Sequence, residues 1–561
     1  MQQSLFRVVC SQLLIVTLSV LPFSARFAGA QEQVRIPTSS LPGDVEDASA
    51  IESVLSQGRV LEKEQRWPEA LSHYDAALKK YPQHTDLQRR QTLAEIHCEL
   101  DRRFADSSFA NLVRTTDERR ALEAFDEVVL KIQTHYVVEP DWQKLTWRGT
   151  ANLDVALTKP TFVKINAPQA SSDQINAFRH ELRDSVNTRI VRDRRAARDL
   201  VYYSARLAQQ RLGIPLSATI MEYCCGAIGS LDQYSSYLSG SQLDEVYSQI
   251  EGNFVGLGIE LKSDQGSLLI VDVIGNGPAA LAGIQPGDRI VAVDGKSTED
   301  ITTELAADML KGEQGSVVQV AVLSPANDAP RELSIRRERV DVPSVEDAMM
   351  VDKQNGVAYF RLTSFQKTTS RDVDAALWKL HREGMKSLII DLRGNPGGLL
   401  TASVEVSDKF LTEGTIVSTR GRSRQEDFDY TAHRVGTWQV PLVVLIDRDT
   451  ASASEIFAGA MRDHHRARVV GEQSYGKGSV QGIFPLSVVK SGVRLTTAKF
   501  YSPSGQAISG QGVTPDMAVA GSDVTATAHI VGYRGGTPDI VNDNVLAAGC
   551  EAARQLTVAQ R

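Results

Sequence analysis

At 561 residues the chain is too long for one ordinary hydrophobic core, and two to four domains are expected. Its composition, 42% hydrophobic and 23% charged, is that of a soluble globular protein. The formal charge of −8, with no long basic run, argues against a nucleic-acid partner.

The first thirty residues have the form of a cleaved secretory signal: Arg7, an apolar stretch from Val8 to Phe23, then Ala28-Gly29-Ala30 before Gln31. The apolar run is short for a membrane span, although retention as an anchor is the alternative. Cleavage would remove Arg7 and Arg26 and no acids, taking the charge from −8 to −10. It would also remove Cys10, leaving Cys98, Cys224, Cys225 and Cys550, too few for a disulfide framework. Adjacent Cys224 and Cys225 read as two thiols on a packed helix.

Residues 31–50 read as a flexible leader rich in Pro, Ser, Gly and Asp. A helical hairpin follows over 51–84. Its Gly58, Ala70, Tyr74, Ala77 and Pro82 fall at the small, aromatic and terminating positions of a tetratricopeptide repeat. One repeat cannot bury its own faces, so this hairpin must pack on 85–115 or on the next domain. Residues 117–158 and 176–250 read as mostly helical, with Leu122, Phe125, Val128, Val129 and Ile132 on one apolar face. Lys159-Pro160 to Ala170 reads as a loop or an insertion.

From Gly252 to about Arg339 the texture becomes short alternating runs punctuated by glycine. Phe254 to Leu261, Leu268 to Ile274, Gly277-Pro278-Ala279-Ala280 and Ala282 to Gly295 follow one another in an order that resembles a PDZ domain. From Gly356 strands and helices alternate, predicting an α/β core. The expected strands are Val357–Leu362, Ser387–Leu392 and Leu442–Ile446; the expected helices are Ser370–Glu383, one ending near Leu411, and Ser452–Asp463. After Pro515-Asp516 only 541–556 reads as helical.

Two positions carry candidate chemistry. Ser452 follows the apolar run Pro441–Ile446 and opens a helix, where amide donors and the helix dipole face a reacting centre. A serine hydroxyl needs a base to take its proton. The Ala453 amide is one candidate donor to a developing oxyanion, and Gly397 or Gly398 a second, since glycine permits close backbone approach. Lys477, between Gly476 and Gly478, can be the base if burial makes its amine neutral; that requires a fall from about 10.4 to about 7–8. Gln481 is placed to hold the amine through its amide oxygen.

Competing readings of these residues are weaker. Gly471 to Lys477 fits the first seven positions of a Walker phosphate loop, but Gly478 stands where a hydroxyl should ligate magnesium and a strand-like run follows. His464 and His465 lie about twelve residues along the helix that Ser452 opens, roughly 18 Å away, and read as its C-terminal cap. His433 stays open as a histidine base. No HExxH or paired CxxC occurs, so no metal and no other cofactor is expected.

Together these motifs resemble the C-terminal processing peptidases, or tail-specific proteases, over roughly 120–516. The most specific points are Leu231-Asp232 to Leu238, the PDZ segment, Asp391 to Gly398, the Ser452 motif, Gly476 to Gln481, and the late run from Tyr501 to Asp516. The 25-residue interval from Ser452 to Lys477 also matches. The resemblance implies a multidomain α+β protein with a crotonase-like ββα peptidase core. It implies Ser452 as nucleophile, Lys477 as general base, Gln481 orienting the lysine, and Gly398 and Ala453 as the oxyanion hole. Val255-Gly256-Leu257-Gly258-Ile259 would be the loop that captures a free protein C-terminus by strand addition.

The expected domains are a signal peptide at 1–30, a leader and tetratricopeptide-like region at 31–116, a helical domain at 117–251, a PDZ domain at 252–340, a peptidase core at 341–517 and a tail at 518–561. The expected function is a periplasmic or otherwise extracytoplasmic, possibly membrane-associated, endopeptidase acting on proteins with free C-termini, with an adaptor protein possible at the tetratricopeptide-like region. A catalytically idle PDZ scaffold is the alternative.

Overall fold

The computed structural model describes residues 43–264, 267–299, 306, 309–325, 327, 329–433, 436–521 and 542–559. The expected signal segment at 1–30 lies outside the described residues. No described helix is long and apolar enough to cross a membrane.

Three helices, Gly43–Lys63, Trp67–Lys80 and Thr85–Ala105, open the described chain. A Cβ at Gly58 would overlap the Tyr74 ring, so glycine lets the first two helices touch. Tyr74 is fully buried, and its hydroxyl donates to Glu62 at 2.6 Å. The helical body continues to Leu216–Gly229, an apolar helix that carries the free thiols of Cys224 and Cys225 in its packed interior. The expected loop after Lys159 is instead the helix Pro160–Asn166, with proline in its first turn and Phe162 buried. Beyond it, Ser172–Asn187 and Arg194–Leu212 are helices whose apolar faces join the same core. That core extends to Val493 and Leu495, so the helical body rests on the strand Gly492–Tyr501.

The recognition module is a sheet ordered Ile259–Asp264, Ser267–Val273, Arg289–Val293, Val317–Leu323, Arg331–Arg336, around its own small core. Ile259–Asp264 lies at the edge, paired only with Ser267–Val273 among the described strands. Two antiparallel strands, Asn253–Gly256 and Glu338–Asp341, tie the module to the remainder.

The last body is built on a sheet ordered Val345–Asp352, Val357–Leu362, Ser387–Asp391, Leu442–Ile446, Ala467–Gly471, Met517–Ala518, parallel from Val357 onward. Parallel sheets need both faces covered, which is why these strands read as continuous apolar runs. One face packs on the helices Thr369–Arg382, Leu400–Asp408 and Ala453–Asp463. The other carries Val357, Tyr359, Ile389, Val443 and Leu445 and is covered by Asn544–Ala559. The segment expected to be a tail thus ends in a helix that closes the core. A second sheet, containing Ser479–Pro485 and Gly492–Tyr501, stands beside the first and brings the Lys477 loop toward Ser452.

Candidate active site

Ser452 sits between the buried strand Leu442–Ile446 and the helix Ala453–Asp463. Its backbone has φ 58 and ψ −114, a left-handed conformation that costs a non-glycine residue strain. A sharp strand-to-helix turn of this kind projects a serine hydroxyl from the sheet end. The turn is held from several sides. Asp447 accepts from the amides of Asp449, Thr450 and Gly394, and the Thr450 hydroxyl donates to the Leu392 carbonyl at 2.9 Å. The Ala451 amide donates to the Asn395 carbonyl at 3.0 Å. The loop 393–398 and the Ser452 turn are therefore one cross-linked unit.

Gly397 and Gly398 close that unit. A Cβ at Gly397 would stand 2.9 Å from both the Ala453 nitrogen and Ser452 Cβ, filling the space beside the serine. Gly398 has φ 141, and a Cβ there would overlap the Phe365 backbone, against which it forms a parallel bridge. Glycine is required at both positions. Ala453, as the first helical residue, has an amide with no intrahelical acceptor.

The residue that joins the serine turn to the lysine loop is Glu455. Its fully buried carboxylate accepts from the amides of Ser452 (2.7 Å), Gly476 (2.6 Å) and Lys477 (2.9 Å), and from the Ser474 hydroxyl (2.6 Å). The Ser452 and Lys477 amides share one oxygen, Oε2. Burial pushes this carboxyl up, and the four donors oppose that shift. An ionised carboxylate is acceptor-only with about four lone-pair sites, so four donors match it. The Ser452-x-x-Glu455 spacing is a capping-box pattern, a signal present in the sequence that the serine's own reading passed over.

Lys477 is 8% exposed. Its amine is pushed down to about 8, chiefly by burial and then by the Arg494 charge, against the opposing pull of Glu455 and Asp232. The amine stands 5.1 Å from the centre of the Tyr234 ring. That ring belongs to a turn in which Asp232 accepts from the amides of Tyr234 and Ser235, so the Leu231–Leu238 stretch forms the floor beneath the lysine. The flanking glycines thread past another backbone: the Gly510 amide donates to the Gly476 carbonyl at 2.8 Å, and a Cβ at Gly478 would overlap Ser509.

Gln481 is fully buried on Ser479–Pro485. Its amide nitrogen donates to Thr496 Oγ1 at 2.8 Å, which turns its oxygen away from that hydroxyl. Among the described residues this Oε1 has no hydrogen-bond partner. It is an available acceptor on the strand that Lys477 enters.

The histidines lie elsewhere. His464 caps the helix end and bonds the Thr415 carbonyl through Nε2 at 2.7 Å. His433 is exposed against Asp408. Gly478 leads into a strand, which removes the helix that a phosphate loop needs. Among the described residues no cluster of His, Cys, Asp and Glu is suited to a metal ion.

In the recognition module, Val255 and Gly256 end the strand Asn253–Gly256, and Ile259 begins the edge strand. Between them Leu257 is buried and its carbonyl accepts the Ala279 amide at 2.9 Å, while Gly258 adopts φ 78. The loop leads into Ile259–Asp264, which among the described strands pairs only with Ser267–Val273.

Two family models match parts of the chain. The model of peptidase family S41 matches residues 356–519, and that of the PDZ domain matches 246–323. A carboxy-terminal-processing protease of Bartonella bacilliformis is 38% identical over 321 residues, covering 56% of this chain and 73% of the relative. A carboxyl-terminal-processing protease of Synechocystis is 37% identical over 267 residues, covering 47% of this chain and 62% of the relative. Among solved structures, a photosystem II D1 C-terminal processing protease aligns with 25% identity and a TM-score of 0.37, over 74% of this chain and 98% of that one.

Proposed function

The chain belongs to peptidase family S41, the carboxyl-terminal-processing proteases, and from that premise we propose a serine endopeptidase worked by Ser452 and Lys477. The neutral Lys477 amine takes the Ser452 hydroxyl proton as Oγ attacks the scissile carbonyl. The amides of Ala453 and Gly398 receive the developing oxyanion. The lysine then returns the proton to the leaving amine, which departs with the downstream peptide. Water, deprotonated by the same lysine, cleaves the Ser452 ester. Gln481 orients the amine through its amide oxygen.

The single observation that carries this reading is the shared carboxylate of Glu455, which bonds the backbones of Ser452 and Lys477 at once, beside a lysine whose burial disfavours its charge. Substrates are proteins with free C-termini, captured by Val255-Gly256-Leu257-Gly258-Ile259 along the open edge. Tail binding shifts the PDZ domain and completes the site. The leader at 1–30 supports an extracytoplasmic, periplasmic setting. The tetratricopeptide-like hairpin before residue 85 is the place for an adaptor protein to dock. No cofactor takes part.

Ser452→Ala and Lys477→Ala each abolish turnover of a tail peptide while its binding persists. Full proteolysis by either variant would overturn the assignment. Binding without cleavage by the unaltered protein would leave a PDZ scaffold in place of an enzyme.

A further inference from the structure

Beyond its charge, which helps to lower the Lys477 amine, Arg494 has no part in the chemistry above. It lies on Gly492–Tyr501, in register with Ser236 on one side and Ile483 on the other. Side chains two apart on a strand share a face. Arg494 therefore shares its face with Thr496, whose hydroxyl holds the Gln481 amide. Its neighbour Ser236 is two residues beyond Tyr234, the ring under the Lys477 amine. The guanidinium lies near enough to the Lys477 amine for its charge to act there.

Its ion pairing differs from that of two other arginines in the molecule. Arg393 pairs with Asp391 and Asp543, and Arg103 pairs with Glu222. Arg494 Nε is buried and, among the described residues, has no hydrogen-bond partner. The charged groups that act on or feel Arg494 are cations: Lys477 in the cleft, and Arg102 from the helix Thr85–Ala105. The half-buried guanidinium has no carboxylate seen to pair with it among the described residues, and its planar donors match one.

We propose that Arg494 is a carboxylate-binding residue of the catalytic cleft, with Arg102 at its rim, recognising an acidic group of the substrate. The inference rests on the peptidase reading and adds a specificity to it. The carboxylate has two possible sources: an Asp or Glu side chain near the cleaved bond, or the new C-terminus of the upstream product. Either places a negative charge against a cation with no carboxylate partner among the described residues. A charge-assisted bond of this kind is worth about a tenfold preference.

The test compares kcat/KM for tail peptides carrying one Glu or one Gln, walked through successive positions on both sides of the cleaved bond. A second arm compares inhibition by upstream product peptides ending in a free carboxylate or an amide. The full-length protein is measured beside Arg494→Gln, Arg494→Lys and Arg494→Glu. A preference of about tenfold for the acidic member in either arm is expected. It should collapse toward unity in Arg494→Gln, return in part in Arg494→Lys and reverse in Arg494→Glu. The responding arm identifies the source of the carboxylate. Ratios that stay the same in Arg494→Gln, in both arms, overturn the proposal. Because the readout is a ratio, a peptidase that works without this preference sinks only the subsite, whereas absence of cleavage by the unaltered protein sinks the peptidase reading itself.

Discussion

The catalytic loops and the recognition module are held by different kinds of interaction. Around Ser452, buried carboxylates and hydroxyls cross-link three loops: Glu455 bonds 474–477, Asp447 bonds 394, and Thr450 reaches both Leu392 and, through its carbonyl, the Tyr475 amide. The PDZ domain is tied through a two-stranded ribbon, and beside that ribbon a cavity of about 500 Å³ is lined by Glu251, Asn253, Arg339, Asp341, Lys367, Thr368 and Arg371. Buried networks in a low dielectric have few alternative arrangements, whereas exposed ion pairs exchange readily with water. On the proposed reading, the loops around Ser452 are fixed by buried bonds while the PDZ domain is joined through a ribbon beside exposed ion pairs.

Breaking the clamp gives the largest expected effect. Glu455→Gln replaces two acceptor oxygens with one acceptor and a donor facing four donors, and should lower kcat by about 10²-fold through displacement of the Lys477 loop. Tail-peptide affinity, measured by calorimetry, should be unchanged; an equal loss of both would mean that the two regions are not separate.

Asp543→Ala removes the carboxylate that bonds both terminal nitrogens of Arg393 at 2.8 Å and accepts from the Leu546 amide at the start of the closing helix. Denaturant titration should register a loss of about 2 kcal/mol, and kcat should fall because Arg393 begins the loop carrying Gly397 and Gly398.

Gly258→Ala works on the other side of the comparison. An alanine at φ 78 costs about 1–2 kcal/mol. Tail affinity should fall about tenfold, while single-turnover cleavage at saturating peptide is retained. The smallest effect is assigned to Lys367→Ala, which removes the exposed pair with Glu251 beside the ribbon. Stability should change by no more than about 0.5 kcal/mol, and a larger change would mean that the ribbon is more firmly tied than its surface pairs imply.

Much of this architecture is legible in the residues themselves. The strands at 357–362 and 442–446 and the helix opening at Ser452 are found where apolar runs and turn residues place them. The glycines at 397, 398, 476 and 478 mark real close approaches of backbone. Other features were hidden for physical reasons. Glu455 reads as a polar residue in a helix, because its partners arrive from residues 19 to 22 positions on. Tyr234 and Arg494 depend on strand register, which no local pattern encodes. The helix expected at 541–556 is present as Asn544–Ala559, but its role as the cover of the sheet's second face was not read, although unbroken apolar strands imply that something must cover that side. The helix Pro160–Asn166 was signalled by proline at its first position, a residue equally suited to a loop.

The central claim is an uncharged Lys477 amine acting on Ser452, and the pH dependence of acylation tests it most directly. In single-turnover cleavage of a tail peptide between pH 6 and 10, only the neutral amine accepts the proton, so the rate should rise about tenfold per pH unit at low pH. It should then level off above about 8, the value to which burial brings this lysine. A rate that is flat across the range, or that keeps rising to pH 10 without levelling off, as a lysine at its ordinary value near 10.5 would give, would contradict the account.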